Sequence, residues 1–214
     1  MFDINNFLSL QVHGGAGPGH KAHDGVAGSV EELLTFIESL IGLSPVEMFS
    51  AIMPGISSMT NLHPVAVHFP LAFLFAFFLM DLLGSLLNKQ SWRELATGLL
   101  YLGTLSAGIA VALGLMAEAS VEHGENVHLI LERHELLGIS VLCTSIFLSL
   151  WRMASGGIIK GVANIVFILI AGVLNILMLL GADLGGLMVY KYGVAVEAVE
   201  VTAMDYFQEH THSH

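Results

Sequence analysis

The sequence predicts an all-α integral membrane protein, a four-helix bundle that crosses the bilayer four times. Three observations predict it. Of the 214 residues, 55% are hydrophobic and only 12% charged, against roughly a quarter charged in ordinary soluble domains. Mean hydropathy is +0.76. Four separate runs each approach the ~20 apolar residues needed to cross ~30 Å of hydrocarbon.

In chain order, residues 1–60 read as a flexible His/Gly-rich segment followed by an amphipathic interfacial helix. The start MFDINNFLSL has no basic region of the kind that opens a secretory signal, so this segment is expected to be retained. The stretch HGGAGPGHKAHDG is dominated by Gly, Pro and His, a composition of loops. Ser29 resembles an N-cap, with Glu31 and Glu32 in the first turn. From Val30 to Ile41, residues Leu33, Leu34, Ile37, Leu40 and Ile41 share one helical face. A second apolar piece, Val46 to Met53, stops at Pro54-Gly55. Both are too short to span and suit a membrane surface.

Residues 61–196 form the transmembrane domain. The first span is expected from about Pro64 to Leu87, with Pro64 and Pro70 in its first turns, where a missing N–H matters least. The second runs from about Leu95 to Ala117 and carries Gly98, Gly103, Ser106, Ala107, Gly108 and Gly114, a small-residue face for close helix packing. The third runs from about His134 to Trp151 and extends upstream toward His128; the fourth runs from about Ile158 to Leu180. Asp81 is the main charge in these cores. In GGLMVYKYGVAV, Gly185-Gly186 suits a tight turn as the fourth helix leaves the membrane, and the alternation that follows suits either a short extended lid or a simple helix exit with aromatic anchors. Residues 197–214 form an acidic, His-rich tail.

Lys and Arg give the orientation. The loops after the first and third spans hold Lys89, Arg93, Arg152 and Lys160, so that side is expected to be cytoplasmic. Both termini and the acidic connection with Glu118, Glu122, Glu125, Glu132 and Glu135 then lie outside, on the periplasmic face of a bacterial inner membrane. The net charge of −11 argues against nucleic acid as a partner. Cys143 is the single cysteine, which excludes an intrachain disulfide.

Histidine carries the functional signal. His63 and His68 open the first span, and His128 and His134 precede or open the third, so counting crossings brings all four to one face. Ionisable groups at bilayer depth are costly and usually functional, although a histidine near the headgroups also serves as an interfacial residue or cap. Two chemistries use such a set. One is haem b, one or two per chain, with axial imidazoles from facing helices and room given by Gly98, Gly103, Gly108 and Gly138. The other is zinc or copper bound by imidazoles with Glu122, Glu125 or Glu132. His63 and His68, five apart, point about 140° away from each other on a regular helix, and His128 and His134 diverge by about 120°. Each therefore pairs across segments. The expected site is His68 with His134, with His63 and His128 as a second, shallower one. His123 and the terminal histidines read as solvated, and the 10 methionines as packing residues.

HPVAVHFPLAFLFAFFLMDLLG, HELLG and GADLGGLMVYKYGVAVE together resemble a family of small bacterial four-helix membrane proteins, the domain of unknown function DUF2231. The similarity covers roughly His63 to Val196. The family's opening histidines fall on His63 and His68, and its glycine- and valine-rich ending falls on Gly185, Gly186, Val189, Tyr190, Gly193, Val194 and Val196. The family often has glycine where this chain has Ala195. The resemblance implies four spans and a membrane location.

The leading expectation is a membrane b-type haem subunit of an electron-transfer complex. It would exchange electrons with a quinone or with a periplasmic cytochrome steered to the acidic face. The rivals are a metal-ion binding or transport protein and a non-catalytic accessory subunit of a larger membrane complex. Neither a nucleophile elbow, a zinc-protease helix nor a phosphate loop appears, so a non-catalytic role is expected.

Overall fold

The computed structural model describes residues 26–118 and 125–196, and these are all-helical in two compact units. The terminal segments named above, with Glu122 and His123, lie outside the described residues.

Among the described residues the first unit holds three helices: α1 (Val26–Leu40), α2 (Pro45–Ile52) and α3 (Pro54–Ser57). α1 begins before Ser29, so Ser29 is a helix-interior residue and not the cap. The expected apolar face is real: Leu33, Leu34, Ile37 and Ile41 are exposed together. α2 starts on a complete capping box. Ser44 Oγ accepts from the Glu47 N–H (3.3 Å), and Glu47 Oε2 accepts from the Ser44 N–H (2.9 Å). Hydrogen bonding from the Ser44 side chain and from the Ser44 N–H holds the Glu47 carboxyl below the usual glutamate range.

The second unit is the bundle. It holds α4 (His63–Ala66), α5 (His68–Leu86), α6 (Gln90–Glu118), α7 (Glu125–Ala154) and α8 (Gly161–Tyr192). α4 and α5 form one span of 24 residues interrupted at Val67. Pro70 explains the interruption: it has no N–H to give Ala66, and its ring crowds that carbonyl. With α6, α7 and α8, four helices are long and apolar enough to cross a membrane.

The last three helices outrun the hydropathy. α6 begins at Gln90, α7 at Glu125, and α8 continues twelve residues past Leu180 to Tyr192. Gly185 and Gly186 lie inside α8, so the segment after them is helix and not an extended lid. α8 ends at Gly193, whose φ of 64° is left-handed, the usual glycine role at a helix C-terminus. Ala195 is also left-handed, with φ 59°, at the position where the family often has glycine. Ala195→Gly should therefore raise thermal stability, by about 1 kcal/mol, measurable as a higher unfolding midpoint in detergent.

The bundle is built inside out relative to a soluble protein. Leu105, Ile109, Leu150, Leu169 and Leu179 face outward, while Asp81, Ser145, Arg152 and Asn175 are buried. Lipid is the solvent that permits this arrangement, because apolar side chains lose nothing by facing hydrocarbon while polar ones must be satisfied within the protein. α5 packs on α6 and α8, and α7 packs on the same two, so α5 and α7 are diagonal. Leu74, Phe77, Leu148 and Leu174 fill the centre with no exposed surface. Gly103 lets α5 and α6 touch, since a Cβ there would lie 2.5 Å from Leu74 Cδ2. Leu74 is fully buried and its backbone N would also lie 3.3 Å from that Cβ, so Gly103→Ala should destabilise the bundle by about 1–3 kcal/mol, read from the unfolding midpoint.

Four buried polar side chains join the helices at the end opposite the histidines. Asp81 Oδ1 accepts from Arg152 Nη2 (2.6 Å) and from Arg93 Nε (3.2 Å). Arg93 Nη2 also donates to the Ile159 carbonyl (2.9 Å) and to Asn164 Oδ1. Asn164 Nδ2 donates to Ser85 Oγ (2.7 Å). The Arg152 guanidinium lies 4.6 Å from the centre of the Phe167 ring, within cation–π range. Arg93 and Arg152, expected in loops from their sequence positions, are helical and internal, at 8% and 0% exposure.

Candidate functional site

The structure brings His63 and His134 together. Their ring centroids are 6.0 Å apart with the planes at 88°. One comes from the first span and the other from the third, so they meet across the diagonal of the bundle.

Each imidazole is oriented by the helix beside it. His63 Nδ1 donates to the Ala110 carbonyl of α6 at 2.9 Å, and His134 Nδ1 donates to the Gly181 carbonyl of α8, also at 2.9 Å. A carbonyl oxygen only accepts, so in both rings Nδ1 carries the proton and Nε2 keeps its lone pair in the neutral form. A carbonyl accepting from one ring nitrogen, leaving the other free to ligate, is how metal-binding histidines are commonly held.

Glycine makes these contacts possible. In a helix the carbonyl of residue i points toward residue i+4, whose side chain partly covers it. Residue i+4 from Ala110 is Gly114, and from Gly181 it is Gly185. A Cβ at Gly114 would lie 3.1 Å from both Cε1 and Nδ1 of His63, and a Cβ at Gly185 would lie 3.3 Å from His134 Cε1. The rings rest where those side chains would be.

The other two histidines of the expected set sit elsewhere. His68 is exposed, with Nδ1 3.3 Å from the Val65 carbonyl of its own turn. His128 is exposed and pairs with Glu132 at 3.7 Å. The ring that His134 meets is therefore His63, where His68 was expected. Of the glycines expected to give room, Gly108 and Gly138 make ordinary contacts with Leu142 and Val111, Gly103 meets Leu74, and Gly98 faces open space. The glycines that do give room are Gly114 and Gly185. The readable signal for them was that each histidine and its carbonyl partner are separated by the same 47 positions.

Among the described residues no group of three or more His, Cys, Asp and Glu side chains converges as a metal site. The donor set is a pair of imidazoles. Two imidazoles bound to one metal at about 2 Å each hold their ring centres roughly 5–6 Å apart, which matches the observed separation. Haem iron takes two axial protein ligands, the porphyrin filling its other positions, so a pair fits haem by number as well as by type.

The fold and site together define a class: an all-helical, four-span membrane protein with two internal histidines facing each other at one end of the bundle. The chain belongs to the DUF2231 family of predicted membrane proteins, whose family model matches residues 59–198. Comparison with curated proteins and with solved structures finds no match.

Proposed function

We propose that the protein is a haem b subunit of a membrane electron-transfer complex, in which His63 and His134 would hold the haem iron. The observation that supports this best is the facing pair, each ring fixed in the Nδ1–H tautomer by a helix carbonyl. Such fixing leaves both Nε2 atoms free to ligate. In this reading the bound group supplies one-electron chemistry, and the protein supplies ligands, orientation and an apolar surround.

A fixed centre suits the bundle better than a transport path does. A through-path needs polar groups along the membrane depth, and here Leu74, Phe77, Leu148 and Leu174 close the axis. Lys89 and Lys160, at the end remote from the histidines, support a cytoplasmic position for that end under the positive-inside rule, with the histidine pair then at the periplasmic face of a bacterial inner membrane. Glu118, Glu132, Glu135 and Asp183 lie at the histidine end of their helices and suit a basic soluble cytochrome; a quinone is the lipid-side alternative. A second reading has one observation in its favour: with the rings 6.0 Å apart, a single zinc or copper ion also fits between them.

The test is a reduced-minus-oxidised visible spectrum of the detergent-purified protein, with a pyridine haemochrome assay. The expected result is a b-type Soret and α band. A colourless protein from haem-replete cells, carrying zinc or copper on elemental analysis, would replace the haem reading with the second one; a protein carrying neither would overturn both and leave an accessory role.

A further inference from the structure

The histidine device occurs twice, and the repeat runs the length of the bundle. Seventy-one positions separate Asp81 from Arg152, and Arg93 from Asn164. The same step carries His63 to His134, Ala110 to Gly181 and Gly114 to Gly185. It carries Lys89, just before α6, to Lys160, just before α8, and it relates the first residues of those helices, Gln90 and Gly161. Buried core positions follow it too: Phe77 with Leu148, Leu100 with Ala171, and Ala107 with Met178. Few side chains are identical, but the register of burial and polar contacts is kept.

We infer that the membrane domain is two copies of one helical hairpin, α4–α6 and α7–α8, which together build a single metal centre per chain. In that centre His63 and His134 are equivalent ligands, and Gly114 and Gly185 are their positioning residues. This rests on the reading above for the identity of the bound group.

Under two-fold symmetry a residue touches its own counterpart only at the axis. Three counterpart pairs touch here. His63 meets His134 at one end, and at the other Asp81 meets Arg152 and Arg93 meets Asn164. The axis therefore runs along the bundle between the diagonal helices. Both hairpins start at the same end, the arrangement of a parallel membrane repeat. An on-axis charge would face its own kind in a perfectly symmetric pair, and divergence to Asp and Arg removes that repulsion. Two like imidazoles need no such divergence, because one metal accepts both. Each hairpin contributes one ligand, so the pair makes one centre and not two.

The experiment combines a count with a local probe. Haemochrome against quantitative amino-acid analysis should give one haem per chain, with His63→Ala and His134→Ala losing it alike. Two haems per chain, or one histidine variant that keeps its haem, would overturn the inference. Histidine 15N NMR of the haem-free protein should show both rings as Nδ1–H tautomers. Gly114→Ala should move only the His63 signals and Gly185→Ala only those of His134, with helicity by circular dichroism unchanged. Glycine variants that leave both tautomers as they were would overturn the positioning role. Should the chain take up no haem, the proposed function fails, and cobalt(II) titration then decides the inference. One ion per chain, lost in both histidine variants, upholds it; none or two overturns it.

Discussion

Asp81→Ala should lower the unfolding free energy of the bundle by about 3–5 kcal/mol, the usual consequence of leaving buried charge without its partner. Among the described residues Asp81 is the only acid of the buried charged groups, and it accepts from both buried arginines. Without it, Arg152 loses the carboxylate that it pairs with, and among the described residues its Nε and Nη1 already lack hydrogen-bond partners. Arg93 suffers less, because the Ile159 and Asn164 oxygens remain. Two controls separate charge from packing. Arg152→Met leaves Asp81 bound to Arg93 and should be milder than Asp81→Ala. Asp81→Leu combined with Arg152→Met replaces the pair by apolar groups and should recover most of the loss. Equilibrium unfolding in a mixed-micelle denaturant series reads all three. A loss under about 1 kcal/mol for Asp81→Ala would mean that the cluster is hydrated, and with it the burial argument would fall.

The second large effect is on the bound group. His63→Ala or His134→Ala should abolish the b-type spectrum, whereas His68→Ala and His128→Ala should keep it. The reason is directional. Interruption at Val67 and the five-residue spacing turn His63 inward and leave His68 exposed. His128 lies six residues before His134, on a different face of α7, and engages Glu132. On the haem reading, losing His63 or His134 would remove one of the two imidazoles that would hold the iron, whereas removing an exposed histidine changes only the surface. Difference spectra at matched protein concentration check all four variants. Retention of the spectrum in His63→Ala with loss in His68→Ala would reverse the assignment. Gly114→Ala and Gly185→Ala should be intermediate, with affinity lowered about 10–100-fold through the displaced carbonyl bond.

Both arguments turn on residues whose types were visible at once and whose partners were not. Hydropathy located the four crossings because lipid imposes one simple condition, a run of apolar residues long enough to span, on each helix separately. It missed the helix ends, since Gln90, Glu125 and the stretch 181–192 continue as helix where apolar character fades. Backbone hydrogen bonding, not hydropathy, decides where a helix stops, and α8 stops at the left-handed Gly193. Arg93 and Arg152 read as loop charges because they flank short polar connections, yet Asp81 and the Phe167 face draw them inside.

The amino-acid sequence by itself determined the all-helical class, the four spans, the amphipathic N-terminal helix and the gathering of histidines at one end. Each of these follows from local composition and from counting crossings. Only the tertiary structure decided that His63 meets His134, that Gly114 and Gly185 make the place for them, and that Asp81 holds two arginines. Those outcomes depend on how far each helix is rotated about its own axis, and on which helices are diagonal. A rotation of one residue, about 100°, exchanges a buried side chain for a lipid-facing one. That rotation is set by close contacts such as Gly103 against Leu74 and by the interruption near Pro70, where four helices must fit at once.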